Sequence, residues 1–214
     1  MTYAELTTSI QNWLIGDDQA AEAEFVAEIP TFVKNAEEYI YNRIRVPNLR
    51  KTQYTAFTAS NRFLTIPSDF LASYSLRATT DATGAYSDMI LKDPSYITTM
   101  YPIATVTGTP KFYGIWDNAS FLIGPTPSSG LTAELTYYFR PETIVTASTT
   151  WLGTNWGGAL LYRCLVEGYT FQKGNPEAMG HYKSGRDEFQ MLLDEYGLKK
   201  VNKDDYRDGR PGNA

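Results

Sequence analysis

Cys164 and His181 are the only cysteine and the only histidine in a chain of 214 residues. One thiol forms no internal disulfide, and one of each is too few for a Cys/His zinc site or a histidine-rich metal centre. The remaining thiol chemistry is a Cys164 nucleophile with His181 as its base. Cys164, however, sits among Leu160, Leu161, Leu165 and Val166, where an apolar surrounding keeps a thiol protonated and inert. His181 is expected on an amphipathic helix near Lys183 and Arg186, as a solvated or interface side chain. The carboxylate pairs Asp17/Asp18, Glu37/Glu38 and Asp204/Asp205 are adjacent in sequence. Neighbours on a helix or strand do not share a face, so these read as solvated charges and not as acid–base pairs or metal clamps. No Gly-x-x-x-x-Gly-Lys-Ser/Thr, Gly-x-Gly-x-x-Gly or Gly-x-Ser-x-Gly pattern occurs, which removes the usual anchors of phosphate-cradling loops and nucleophile elbows. The expectation is no catalysis, no metal and no organic cofactor.

What remains is the chemistry of contact. Sixteen tyrosines and four tryptophans suit either strand preference or surfaces where an apolar body meets a wet rim. The charges are segregated. Residues 1–28 carry Glu5, Asp17, Asp18, Glu22, Glu24 and Glu28 with no basic residue, whereas residues 34–51 carry Lys34, Arg43, Arg45, Arg50 and Lys51 against Glu37 and Glu38. Opposite-sign faces suit head-to-tail contacts between copies, and the same complementarity is equally satisfied within one chain. Asp17, Asp18, Glu22, Glu24, Arg43, Arg45 and Arg50 are therefore the candidate subunit-interface residues. The net charge of -5 argues against a surface built to bind nucleic-acid phosphates or anionic lipid.

The elements that would carry these residues follow from periodicity. Thr2 and Glu5 form a capping-box pattern, and Leu6, Ile10, Trp13 and Leu14 continue at helical spacing, predicting a helix over residues 3–15. Phe25, Ile29, Phe32, Val33, Ala36, Ile40 and Ile44 describe one apolar face. Pro30 either opens that helix or lies inside one continuous helix. From Thr52 to about Tyr138 the texture is that of strands and turns: candidate strands are 53–58, 63–66, 73–78, 87–91, 111–116, 120–123 and 131–139, the last three as a meander, with a capped short helix at 94–100 between strands. Asn118-Ala-Ser120 matches a glycosylation sequon and reads as a polar hairpin turn. Residues 143–162 are uncharged but too polar for a membrane span, and read as a loop entering a helix. Helical texture returns after Thr154, and Asn175 caps a helix opening at Pro176 that Gly197 ends. The N-terminus lacks the basic start and apolar stretch of a signal peptide.

The expected fold class is therefore α+β: a helical bundle formed by residues 1–51 and 155–197, an inserted antiparallel β domain at 52–154, and a flexible C-terminal tail at 198–214. Lys199, Lys200, Lys203, Tyr206, Arg207 and Arg210 of that tail are candidate partner-binding residues.

Five motifs in this order carry a family resemblance: Ile29-Pro-Thr-Phe-Val-Lys-Asn-Ala-Glu-Glu-Tyr-Ile-Tyr-Asn-Arg-Ile-Arg-Val; Leu64-Thr-Ile-Pro-Ser-Asp-Phe-Leu; Gly108-Thr-Pro-Lys-Phe-Tyr; Leu122-Ile-Gly-Pro-Thr-Pro with Leu135-Thr-Tyr-Tyr; and Thr154-Asn-Trp with Leu160-Leu-Tyr, Tyr182 and Phe189. Together they resemble the head-to-tail adaptor (connector) proteins of tailed bacteriophages, especially short-tailed ones. The resemblance implies a non-enzymatic virion subunit, made in the host cytoplasm, in a homo-oligomeric ring of about twelve copies beneath the portal protein. It also implies that genome DNA passes through the lumen without specific binding, that a tail or nozzle protein docks below, and that no membrane is involved. The alternatives are another structural virion subunit (tail nozzle or fibre-attachment protein) and a carbohydrate-active or sugar-binding β protein.

Overall fold

The computed structural model describes residues 1–14, 22–79 and 84–208. The class is α+β, divided into a helical unit, 1–48 with 141–214, and a β unit, 49–140.

In the helical unit, α1 spans Tyr3–Leu14 and α2 Glu22–Arg43. The capping box at the start of α1 closes reciprocally: the Thr2 amide donates to Glu5 Oε2 at 2.8 Å and the Glu5 amide to Thr2 Oγ1 at 3.2 Å. Pro30 lies inside α2, so the continuous-helix alternative holds. After a 3-10 turn at Pro47–Leu49 the chain leaves for the β unit. It returns through a short α4 (Ile144–Ala147) into α5 (Trp151–Phe171) and α6 (Pro176–Asp208). α5 begins at Trp151, earlier than the expected 155, because the Thr150 hydroxyl accepts from the Gly153 amide at 3.1 Å. It is interrupted at Trp156 (φ -134°, ψ 35°), just before the Gly157-Gly158 pair. Gly197 does not end α6. It is buried in mid-helix beside Val46, and a helical glycine costs only about 1 kcal/mol against alanine, too little to stop a helix by itself.

α5 packs against α1, α2 and α6, which explains why Leu160, Leu161, Cys164, Leu165 and Val166 are all buried. Its contact with α6 is reciprocal: the Tyr162 ring lies over Gly185, the Phe189 ring lies over Gly158, and the two rings stack at 5.5 Å. A Cβ at Gly185 would lie 2.4 Å from Tyr162, whose ring is also held edge-on by Trp13 at 5.9 Å.

Glu37 is not a solvated charge. It is 3% exposed, because it shares the inward side of α2 with Val33, Ala36, Ile40 and Tyr41. Its carboxylate accepts from the Thr143 hydroxyl at 2.5 Å and the Ile144 amide at 3.0 Å, at the first turn of α4. Burial raises its pKa above the ordinary glutamate value, and the two hydrogen bonds oppose the shift.

The β unit holds two four-stranded sheets. The first has the order β1 (Arg50–Ala56), β10 (Thr132–Phe139), β3 (Phe70–Thr79), β4 (Tyr86–Asp88), all antiparallel. The second has the order β2 (Phe63–Thr65), β8 (Ser120–Gly124), β7 (Phe112–Ile115), β5 (Ile90–Leu91), with β5 parallel to β7. A small parallel pair joins β6 (Thr107–Gly108) to β9 (Thr126–Pro127). Leu76, Ala133, Leu135 and Tyr137 of the first sheet and Leu64, Tyr113, Phe121 and Ile123 of the second form one core. α3, at Pro94–Met100 as expected, is capped by Asp93 accepting from the Ser95 amide at 2.8 Å, and packs on β7 and β8. The expected three-strand meander is corrected: β7 and β8 form a hairpin, with Asp117 accepting from the Ala119 amide at the turn. β10, however, lies between β1 and β3 in the other sheet. The link from Pro125 to Gly130 is too long and proline-rich for a hairpin loop, and β10 gains seven paired residues with β1.

Two outcomes follow. Gly185→Ala should lower stability by about 1–3 kcal/mol through overpacking. Gly180→Ala, on the same helix with nothing within 4 Å of its Cβ, should raise it by up to about 1 kcal/mol; thermal melts of the pair read the difference. Glu37→Gln keeps an acceptor for the Ile144 amide and supplies a donor to Thr143. Because the folded state holds the Glu37 proton more tightly than the unfolded state, its contribution is full below the ordinary glutamate pKa and declines as pH rises through the raised one. The melting-temperature difference, variant minus wild type, should therefore grow more favourable to Glu37→Gln as pH rises from 4 to 8; a flat difference would exclude the buried-carboxylate account.

Candidate interaction surfaces

Cys164 is fully buried and His181 exposed, so they do not form a nucleophile–base pair. Burial, followed by the charges of Glu37 and Glu167, pushes the Cys164 thiol far up. Among the described residues no group of three His, Cys, Asp or Glu side chains is placed to hold a metal ion, and no helix is long and apolar enough to cross a membrane.

The segregated charges do not neutralise one another within the chain among the described residues. Arg43 pairs with Asp194 of α6 at 3.3 Å and donates to the Tyr39 hydroxyl at 3.1 Å. Lys51 pairs with Asp69 at 2.9 Å. Asp69 also accepts from the Tyr137 hydroxyl at 2.8 Å; burial alone would raise its pKa, and these two donors hold it below the usual aspartate value. Arg50 belongs to the β unit, where its guanidinium lies 3.8 Å over the Tyr74 ring and its Nε donates to the Tyr138 hydroxyl at 3.2 Å. Arg45 and Glu24 are exposed. Glu22 opens α2, and Asp17, Asp18 and Arg210 lie outside the described residues. Lys199, Lys200, Lys203, Tyr206 and Arg207 fall on the last turns of α6, which continue the helix past the point where the sequence predicts a tail.

Concavities among the described residues include the following. Two adjoin along α6 where it passes the end of α2. One, of about 480 Å³, includes Tyr39, Arg163, Arg186 and Met191; the other, of about 400 Å³, includes Ile44, Arg45, Leu193 and Gly197; both include Arg43, Asp194 and Leu198. Arg163 stacks on Tyr39 at 3.6 Å and forms one wall. The third, of about 240 Å³, lies between β1 and β2 and is lined by Gln53, Thr55, Thr65, Ile66, Pro67 and Leu135. It holds neither a carboxylate nor an aromatic ring, the pair that sugar chemistry uses.

Sequence reasoning missed one extended apolar exposure. On the β unit, Ile90 and Leu91 of the edge strand β5, Tyr96 and Met100 of α3, and Ile103 and Val106 after it are all exposed, Ile103 to 60%. Ile90 pairs with Phe112, whose ring contacts Tyr96 at 5.6 Å and Tyr101 at 6.4 Å, so strand and helix present one surface. The signal was present: residues 94–110 contain no charged side chain. Charge depletion with Tyr, Met and aliphatic exposure is the composition of an interface centre.

No curated protein matches the chain. A protein-family model described as SU10 adaptor protein matches residues 1–212. That match spans both units; the chain belongs to the SU10 adaptor protein family and is a structural adaptor protein of a bacteriophage.

Proposed function

We propose that the protein is the head-to-tail adaptor of a short-tailed phage: about twelve copies form a ring that docks beneath the portal, lines part of the DNA channel and presents a platform to a tail or nozzle protein. Membership in the adaptor family implies interaction with portal and tail proteins and a place in the virion. The observation that carries the reading is the exposed apolar surface built from β5, α3 and the charge-free segment after it, edged by Lys92 over the Tyr96 ring, because an area of this composition is typical of a surface that another protein covers. A net charge of -5 suits a wall past which genome slides, since phosphate neutralisation by Lys and Arg is what makes DNA adhere. The role is structural and non-catalytic. Lys199, Lys200, Lys203, Tyr206, Arg207 and Arg210 are assigned to the portal contact, five cations and one aromatic anchor at the end of the chain. Each contact is weak alone and cumulative around a ring.

Native mass measurement of the full chain, alone and mixed with the portal of the same genome, tests this. The expected result is a complex of twelve subunits on the portal. Deleting residues 199–214 should leave the melting temperature within about 2 °C and abolish stable portal co-sedimentation. A monomer that ignores the portal would overturn the adaptor reading; a truncated protein that still binds it would remove only the terminal segment from the mechanism.

A further inference from the structure

We propose that the groove between the C-terminal end of α2 and α6 is the acceptor site for a second copy, and that the segment it receives is the acidic N-terminal half of α2 from that neighbour. The inference rests on the ring reading above and deepens it by naming the two surfaces that meet.

The argument begins with what α2 cannot do alone. Its N-terminal half carries Glu22, Glu24 and Glu28 and its C-terminal end Arg43, with Arg45 just beyond. At 1.5 Å per residue Glu24 and Arg43 are about 28 Å apart along the axis, roughly three screening lengths at physiological salt, so the two poles do not neutralise each other. No other described element supplies the missing charge: Glu24 and Glu28 have no ion-pair partner among the described residues, and neither has Arg45. Among the described residues the charge segregation is therefore not answered within the chain.

Shape agrees with charge. The groove is lined by the buried Ile44 and Leu193 and the exposed Leu198, together with Arg43 and Arg45. Arg43 is already tied to Asp194, which fixes one wall and leaves Arg45 to meet an incoming carboxylate. The outward face of the α2 N-terminal half is narrow: Ala23, Glu24, Ala27 and Thr31 are exposed and Glu28 is half-buried. Glu24 and Glu28, four residues apart, lie on the same side. A small-residue helix face edged by carboxylates suits such a groove and would bring Glu24 or Glu28 to Arg45. The contact joins two different surfaces of the same chain, so it repeats head to tail and closes into a ring when the rotation allows.

Because donor and acceptor are different patches, two defective proteins should repair each other. Arg45→Glu places acid against acid, and Glu24→Arg with Glu28→Arg places base against base. Each should raise the concentration for half-assembly by about tenfold or more, while circular dichroism stays at wild type and the melting temperature moves little, since Glu24 and Arg45 are exposed and Glu28 is half-buried. Mixed in equal amounts they should assemble again, in an alternating ring that an even subunit number permits. Assembly of the wild type should also weaken as salt is raised. Assembly is read by sedimentation, alone and on the portal. If the wild type assembles in neither setting, the ring reading fails and this proposal with it. If the wild type assembles and the two variants assemble equally well, the groove assignment alone is overturned. Variants that each assemble alone as wild type does but lose the portal would give the groove to the portal instead, and variants that fail alone and fail mixed would likewise overturn the pairing.

Discussion

The helical unit is built from two stretches of chain with the whole β unit between them, and everything else depends on how that break is closed. A buried carboxylate does part of this. Glu37, on α2 before the β unit, accepts from Thr143 and Ile144 where the chain returns, 106 residues later for Thr143. The entropy of closing so long a loop grows only slowly with its length, so an inserted domain is tolerated if the two ends make enough contacts. The Thr143 hydroxyl donates to Glu37 and accepts from the Val145 amide at 3.3 Å, so one side chain links the acid to the first turn of α4. α5 then covers α1 and α2 with side chains that leave almost no polar position facing inward. A carboxylate in such surroundings is costly unless its oxygens are paired, which is why this tie specifies where α4 sits.

The elements legible in the sequence were those set by local hydrogen bonds. Thr2 with Glu5, Asp93 before Pro94 and Asn175 before Pro176 each place a side-chain acceptor at a helix start, and all three occur as read. The apolar face of α2 was legible for the same reason: its spacing is a property of one helix. What escaped was set at long range. The partners of β10 depend on which sheet offers the longer register, and nothing between residues 125 and 139 records that choice. Glu37 and Glu38 look alike as neighbours, yet one faces α4 and α5 while the other faces outward. Gly197 carries the residue type of a helix stop, and its surroundings decide otherwise.

The basic side chains between residues 34 and 51 separate in the same way. Asp194 holds Arg43, Asp69 holds Lys51, and Arg50 lies over the Tyr74 ring and donates to the Tyr138 hydroxyl. Sequence shows a run of positive charge; structure divides it into cations already paired within the chain and the exposed Lys34 and Arg45, which have no ion-pair partner among the described residues. Exposed ion pairs contribute little to stability. Their effect here is to set which charges remain free to choose a partner outside the chain.

β1 has a further implication. It is the edge of its sheet, seven residues long, and apart from Arg50 every side chain along it is exposed. An uncovered strand of that length is a template onto which any extended polypeptide can add by backbone hydrogen bonding, whatever its sequence. Lys51 at one end opposes flat stacking of copies, whereas the Thr, Gln and Tyr residues that follow do not. For an unassembled subunit, docking onto a partner and strand addition at β1 are two bimolecular processes that compete. The crowding that drives the first also drives the second, which sets an upper limit on how concentrated the unassembled subunit can become and still be used.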